Sequence, residues 1–239
     1  MEHIEGPHGL IAIYVAAPAG AAQHPAVVVV HDALGMSNDV QAQAQWLADA
    51  GYLAVAPDLF SRGRMRCMMR TMRDLQRGAQ GLTFDELAHV QQWALNHPRS
   101  SGKIGIIGFC FGGGIALMLA PDHGYAASAV NYGGMAESGW ERLQRACPIV
   151  ASYGADDPTL KGTASRLESV LSEHNIPHDV KQYPGVGHGF MNDHRHDEQG
   201  LFIGALARLS NTRYDPVATA DARKRILTFF ETHLRGAAA

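Results

Sequence analysis

Cys110, one of three cysteines in the chain, stands in the setting that a catalytic nucleophile requires. The run KIGIIGFCFGGG combines a short β-branched stretch, a turn that carries the cysteine and a glycine-rich helix start. Gly108 and Gly112 complete the pattern G-x-nucleophile-x-G, in which glycines let strand and helix approach closely. A thiol at this corner faces the positive end of the helix, which favours attack as a thiolate. The alternative is a buried structural cysteine in an ordinary strand-helix unit.

A nucleophilic cysteine also needs a base and a third group that orients the base. Among thirteen histidines, His188 has the most suitable setting, the glycine-rich loop YPGVGHGF after a strand-like run. Asp157 follows another such run, and Pro158 holds it out of helical geometry, which leaves its carboxylate free to reach an imidazole. Asp156 is the alternative orienting acid. The sequence therefore predicts a base at His188 and an orienting acid at Asp157.

Acyl transfer requires backbone N–H donors for the developing oxyanion. Phe111, directly after the nucleophile, and Ala33, in the loop HDALG after the second apolar run, occupy the expected donor positions. Asp32 places an acidic side chain beside this anion-stabilising loop. We expect Asp32 either to interact with the thiol or the histidine, or to cap a turn.

The elements that must position these residues are visible in the hydrophobic pattern. Apolar runs alternate with amphipathic stretches, which predicts an α/β fold with a mainly parallel central sheet and helices on both faces. The runs are Leu10–Ala16, Ala26–Val30, Tyr52–Ala56, Ile104–Gly108 and Ile149–Tyr153, with a more polar sixth near an edge at His178–Tyr183. The expected helices are Ser37–Ala50, Thr83–Asn96, Phe111–Ala120, Gly162–His174 and Pro216–Leu234.

Residues 58–82 form a connection that is too long for a simple strand-helix loop. Apolar residues recur there at intervals of three and four and predict a short amphipathic helix, with Met65, Met68, Met69, Met72 and Leu75 as its stripe. This lid-like helix either lies over the mouth of the active site or docks its apolar stripe on the sheet with its arginines solvated.

Length and charge narrow the class of protein. A chain of 239 residues fits one α/β domain spanning 1–239. A net charge of −3 and a pI near 6.5 predict neither nucleic-acid nor membrane binding. Without a signal-like start or a long apolar run, the expected location is the cytoplasm. The three cysteines include no CxxC pair, so we expect no disulfide framework, no metal and no cofactor.

Four blocks, HDALG, GFCFGG, GADDP and GHGF, together resemble the dienelactone hydrolase family (carboxymethylenebutenolidase-like) of α/β-hydrolases over nearly the whole chain. The resemblance implies the α/β-hydrolase fold and a triad of Cys110, Asp157 and His188. It also implies opening of a lactone or cleavage of an ester, a small-molecule substrate, through an acyl-cysteine intermediate. A family glutamate that pairs with the resting thiol corresponds to Asp32, so a thiol-modulating role is expected there. Family arginines bind a substrate carboxylate, and the candidates for that role are Arg64, Arg70, Arg77 and Arg195.

Two other classes of function remain open at this point. A ligand-binding or thiol redox-sensing protein on the same fold would retain Cys110 without turnover, since exposed thiolates also oxidise readily. A metal-dependent hydrolase could instead use His188, His194 and His196, although their spacing alone does not form a ligand set.

Overall fold

The computed structural model describes residues 1–194 and 210–236. One eight-stranded sheet has the order β1-β2-β4-β3-β5-β6-β7-β8, in which β1, β2 and β4 pair antiparallel and every other pair is parallel. The strands are β1 (Glu2–Gly6), β2 (Gly9–Ala16), β3 (His24–Val30), β4 (Leu53–Pro57), β5 (Ser100–Phe109), β6 (Ala127–Asn131), β7 (Ile149–Gly154) and β8 (His178–Tyr183).

Helices cover both faces of this sheet, which separates two apolar cores. The helices are α1 (Asn38–Asp49), α2 (Arg64–Gln76), α3 (Leu82–Asn96), α4 (Phe111–Leu119), α5 (Thr163–Glu173) and α6 (Pro216–Phe230), the last followed by a π-helical turn at Glu231–Arg235. Val27 and Val29 of β3 face the core under α1 and α6, whereas Val28 and Val30 face the core under α3, α4 and α5. This alternation places the carboxyl ends of the central strands between the two helical layers.

The predicted architecture, a mainly parallel α/β sheet, is confirmed, and β8 is indeed an edge strand. Two strands were absent from the prediction. In β6, the sequence ASAVN has small and polar residues, and its Ser128 is buried because its hydroxyl donates to the carbonyl of Ala116 at 3.0 Å. In β1, polar residues alternate along an edge hairpin with β2, so hydrophobicity gives little signal there.

The predicted helix in the 58–82 connection forms, but with another face inward. Its buried residues are Cys67, Thr71 and Asp74, whereas Met65, Met69 and Met72 of the predicted stripe are exposed. The reason is polar. The Thr71 hydroxyl bonds that of Thr83 at 2.9 Å, and the Asp74 carboxylate accepts the amide of Thr83 at 3.2 Å, so α2 caps the amino end of α3. The expectation of a docked stripe was therefore wrong for these three methionines, whereas its other two members, Met68 and Leu75, are half-buried against the core.

None of the helices in residues 1–194 and 210–236 combines the length and the apolar character that crossing a bilayer requires.

Candidate active site

The turn between β5 and α4 presents Cys110 at the carboxyl end of the sheet. Cys110 has φ +53° and ψ −113°, a backbone conformation that non-glycine residues rarely adopt and that often marks functional sites. Both flanking glycines are sterically required. A Cβ on Gly108 would lie 1.9 Å from the carbonyl oxygen of Gly112, and a Cβ on Gly112 would lie 2.2 Å from that of Val30. The half-buried thiol therefore sits on a tightly packed elbow.

Two loops at the same edge bring Asp157 and His188 together. The Nδ1 of His188 lies 2.6 Å from Oδ2 of Asp157, and because a carboxylate only accepts, the imidazole donates from Nδ1. Asp157 is buried and extended before Pro158, and its Oδ1 accepts both the amide of Thr159 at 2.8 Å and its hydroxyl at 2.6 Å. Three donors thus hold the carboxylate, while the neighbouring Asp156 is exposed.

The electrostatics of these loops favour a protonated imidazole beside the sulfur. Burial works against a charged His188, but hydrogen bonds with Asp157 and Cys110, together with the negative charge of both, raise its pKa to about 10. Burial also opposes the charge on Asp157, yet hydrogen bonds from His188 and Thr159 outweigh it and lower the pKa of that carboxyl group. The arrangement is therefore a carboxylate, an imidazolium and a sulfur in a row.

Two amides were predicted as oxyanion donors, that of Phe111, which follows Cys110 directly, and that of Ala33, in the loop after β3, whose end packs closely against Gly112 of the elbow. Phe111 is the first residue of α4, where an amide has no partner inside its own helix. The carbonyl of Asp32 is held by Nδ1 of His31 at 2.7 Å and by the amide of Gly35 at 3.2 Å. Since a trans peptide points its N–H opposite to its C=O, these bonds also fix the direction of the Ala33 N–H.

His31 holds the Asp32 carbonyl as a neutral side chain. Its Nε2 accepts the amide of Leu59 at 3.1 Å, so its proton resides on Nδ1, which donates to the Asp32 carbonyl. Burial lowers the pKa of His31, in keeping with a neutral ring. Phe60 packs edge-on against this ring with centroids 4.6 Å apart.

The Asp32 carboxylate has partners other than the sulfur. Oδ1 accepts the amide of Leu34 at 2.8 Å, and Oδ2 lies 2.5 Å from Nε2 of His194. Both side chains are largely shielded, with 11% of Asp32 and 7% of His194 exposed. Asp32 is therefore a turn-capping residue that also forms a buried hydrogen-bonded pair with His194.

Comparison with known proteins gives the family of the chain. The model of the dienelactone hydrolase family matches residues 11–234. The carboxymethylenebutenolidase of Pseudomonas putida is 30% identical over 214 residues, which cover 84% of this chain and 88% of that protein.

This chain belongs to the dienelactone hydrolase family.

Solved structures show the same fold in other members of the family. A Klebsiella pneumoniae protein assigned provisionally as a dienelactone hydrolase superposes with a TM-score of 0.77 at 24% identity and covers 95% of each chain. The dienelactone hydrolase of Anabaena variabilis superposes with a TM-score of 0.69 at 17% identity, over 98% of this chain and 97% of that one. The fold is accordingly the α/β-hydrolase fold, and family membership makes the protein an ester or lactone hydrolase.

In this dienelactone hydrolase family member, a polar network behind the imidazole escaped the sequence reasoning. The hydroxyl of Tyr132 donates to Oδ1 of Asn192 at 2.5 Å, and Nδ2 of Asn192 donates to Oδ2 of Asp39 at 2.6 Å. All three side chains are buried, and the Tyr132 ring meets the His188 ring edge-on at 5.2 Å. Burial raises the pKa of Tyr132 well above its usual range. The positive φ of Tyr132, +41°, is its one local sign, and it appears only in the structure.

The arginine candidates fall in different environments. Arg64 and Arg77 are exposed at the two ends of α2, whereas Arg70 is mostly covered and lies 3.6 Å from Glu86 of α3. Arg195 lies outside the described residues. A substrate-binding role for these side chains remains a prediction.

The histidines of the metal alternative are engaged separately. His188 pairs with Asp157 and His194 with Asp32, and His196 lies outside the described residues. Within residues 1–194 and 210–236, no three His, Cys, Asp or Glu side chains are grouped as metal ligands.

Proposed function

We propose that this enzyme is a cysteine-dependent hydrolase of small esters or lactones that works through an acyl-cysteine intermediate. The observation that carries the proposal is the hydrogen bond between Asp157 and His188, beside which Cys110 stands on a strained elbow and acts on the pKa of that imidazole. The comparisons support the reaction class.

In the first half of the reaction, the Cys110 thiolate attacks the carbonyl carbon, and the carbonyl electron pair moves onto oxygen. The amides of Ala33 and Phe111 bind this oxyanion. When the intermediate collapses, the C–O bond breaks, and His188 donates its proton to the departing alkoxide, which leaves as the alcohol. For a lactone, that alcohol stays attached to the acyl group.

The second half uses the imidazole as a base. Neutral His188 takes a proton from water, hydroxide attacks the thioester carbonyl, and collapse expels the Cys110 thiolate with release of the acid. Throughout the cycle Asp157 stabilises the imidazolium and keeps its ring oriented, as in other triads. We further propose that residues 1–239 act as one catalytic domain and that the segment 58–82 covers the substrate.

Alkylation tests the nucleophile directly. Iodoacetamide should modify Cys110 and abolish turnover of p-nitrophenyl acetate, and Cys110→Ala should be inactive in the same assay. Cys147→Ala is the matched control, because burial raises the pKa of the Cys147 thiol to about 12 and makes it unreactive. Turnover that survives complete alkylation of Cys110 would refute the proposal.

Burst kinetics test the covalent intermediate. The enzyme concentration must be high enough for one equivalent of p-nitrophenolate to be detected. If deacylation is slower than acylation, p-nitrophenolate should then appear in a burst equal to the active-site concentration. Mass spectrometry of the quenched protein should then show an acetyl group on Cys110. A tightly binding but unreactive wild type would instead favour a binding or redox-sensing protein.

A further inference from the structure

We propose that Asp32 and His194 form a positioning pair that aligns the oxyanion amide of Ala33, and that this pair does not control the reactivity of the Cys110 thiol. The inference rests on the proposed function and names a residue, His194, that neither the motifs nor the triad call for. It also replaces the expected thiol-modulating role of Asp32.

The first argument is the set of bonds made by Asp32. Each carboxylate oxygen already has a partner, the Leu34 amide for Oδ1 and the His194 imidazole for Oδ2. The backbone carbonyl of the same residue is held by His31 and Gly35. Four hydrogen bonds thus fix the one residue whose carbonyl shares a peptide unit with the Ala33 N–H, and a planar peptide transmits that restraint to the N–H direction.

The second argument is the place of His194 in the chain. It follows His188 by six residues on the same loop, and its contact with Asp32 spans 162 positions. Nearby, Asn192 and the amide of Asp193 bond the carboxylate of Asp39 at 2.6 and 2.9 Å. The loop that carries the base is therefore tied at two points to the segment that carries the oxyanion amide.

The third argument is electrostatic. A carboxylate beside an oxyanion would oppose the negative charge that develops there, unless donors absorb its own charge. The Leu34 amide and the His194 imidazole supply such donors. The Asp32 and His194 side chains are shielded from water, and hydrogen bonds to a charged group are strong in such a shielded site. His194 and the Leu34 amide accordingly offset the negative charge of Asp32.

Two reactions of the same sulfur separate this role from control of the thiol. Alkylation by iodoacetamide is a substitution at carbon that forms no oxyanion, so its rate reports the nucleophile alone. Acylation by p-nitrophenyl acetate, followed as the stopped-flow burst, requires both the nucleophile and the oxyanion amides. The variants are His194→Ala and His194→Gln, whose side-chain amide retains a donor. His178→Ala is the matched control, because His178 pairs with Glu168 at 3.3 Å at the opposite end of β8.

For His194→Ala we expect acylation to slow by about 10- to 100-fold, somewhat less than the roughly 100- to 1,000-fold that loss of a whole oxyanion donor costs. The rate of Cys110 alkylation in the same variant should change by less than about twofold, since the groups around the sulfur are retained. His194→Gln should recover part of the acylation rate, and His178→Ala should leave both rates unchanged.

Two outcomes would overturn the inference. If the rates of acylation and alkylation fall in parallel in His194→Ala and His194→Gln, Asp32 and His194 control the reactivity of the thiol. If the acylation rate is unchanged in both variants, the pair has no role in catalysis. If His194→Ala unfolds, His194→Gln carries the same comparison. Failure of the proposed function is recognised separately, as turnover that persists in Cys110→Ala.

Discussion

Replacing Asp157 with Asn tests the row of groups at its most constrained point. Oδ1 of Asp157 is occupied by two donors from Thr159. In Asp157→Asn the amide oxygen should keep that place, because it is the only acceptor in the new side chain. The amide nitrogen then faces Nδ1 of His188 and can only donate. His188 must therefore accept at Nδ1 and carry its proton on Nε2, and it cannot take the Cys110 proton.

The structure sets the size of the effect. The pKa of His188 rises from 6.5 to about 10, and that difference corresponds to about 5 kcal/mol in favour of the imidazolium. Asp157 and Cys110 supply this stabilisation together, so loss of the carboxylate removes only a part of it. The wrong tautomer in a serine triad costs about 10⁴-fold, which sets the upper limit. We therefore expect kcat/KM to fall by about 10² to 10⁴ at pH 7.

The loss should depend on pH in a defined direction. In the wild type, the imidazolium of His188 persists until the pH rises through about 10. In Asp157→Asn, hydroxide must remove the thiol proton, so activity should climb with pH and the ratio of the two enzymes should shrink. The contribution of His188 to the stability of the fold also decreases as the pH rises. The raised pKa of His188 stabilises the fold fully below pH 6.5, and that contribution is lost as pH rises through about 10.

The assay is kcat/KM for p-nitrophenyl acetate between pH 6 and 10, with urea unfolding of the same variants at both ends of that range. Asp156→Asn is the matched control, since this neighbouring carboxylate is exposed. The reasoning fails if Asp156→Asn loses activity instead, or if Asp157→Asn loses less than about tenfold at pH 7.

Two further predictions concern packing around the site. Gly112→Ala should destabilise the protein by about 3 kcal/mol or more, because its Cβ would meet the Val30 carbonyl and the backbone must shift. The control is Gly134→Ala, whose Cβ would meet only one flexible side chain, and it should leave the urea midpoint nearly unchanged. Equal midpoints for both variants would contradict the steric argument. Tyr132→Phe should lower the free energy of unfolding by about 1–3 kcal/mol, because a buried oxygen of Asn192 loses its donor. A loss below about 0.5 kcal/mol in urea unfolding would show that this hydrogen bond does not stabilise the fold.

Much of the fold could be read from local patterns because the determinants are local. The predicted helix Ser37–Ala50 matches α1 with those two residues as its caps, since the Ser37 side chain accepts the amide of Val40. The helix predicted at Gly162–His174 matches α5 in the same way, with the two named residues as caps. The glycine pattern around Cys110 likewise predicted the elbow, because only residues without a Cβ fit there.

Patterns failed where hydrophobicity was not the deciding force. Helix α2 buries a polar face, because Thr71 and Asp74 form hydrogen bonds with Thr83 at the amino end of α3, and three of its methionines are exposed. Strand β6 lies in the centre of the sheet with Ser and Asn among its five residues, and its hydrogen bonds are made with elements far away in sequence.

The amino-acid sequence by itself determined the element types, the elbow at Cys110 and the order of the groups that follow it, because each depends on neighbouring residues and on the steric limits of a short turn. Tertiary structure alone decided the partners of the other two carboxylates near the site, Asp32 and Asp39. Asp32 meets His194, and Asp39 meets Asn192, across 162 and 153 positions of the chain. Such contacts depend on the packing of whole loops, and a charged side chain has several partners of equal chemistry until the fold brings one of them within 3 Å.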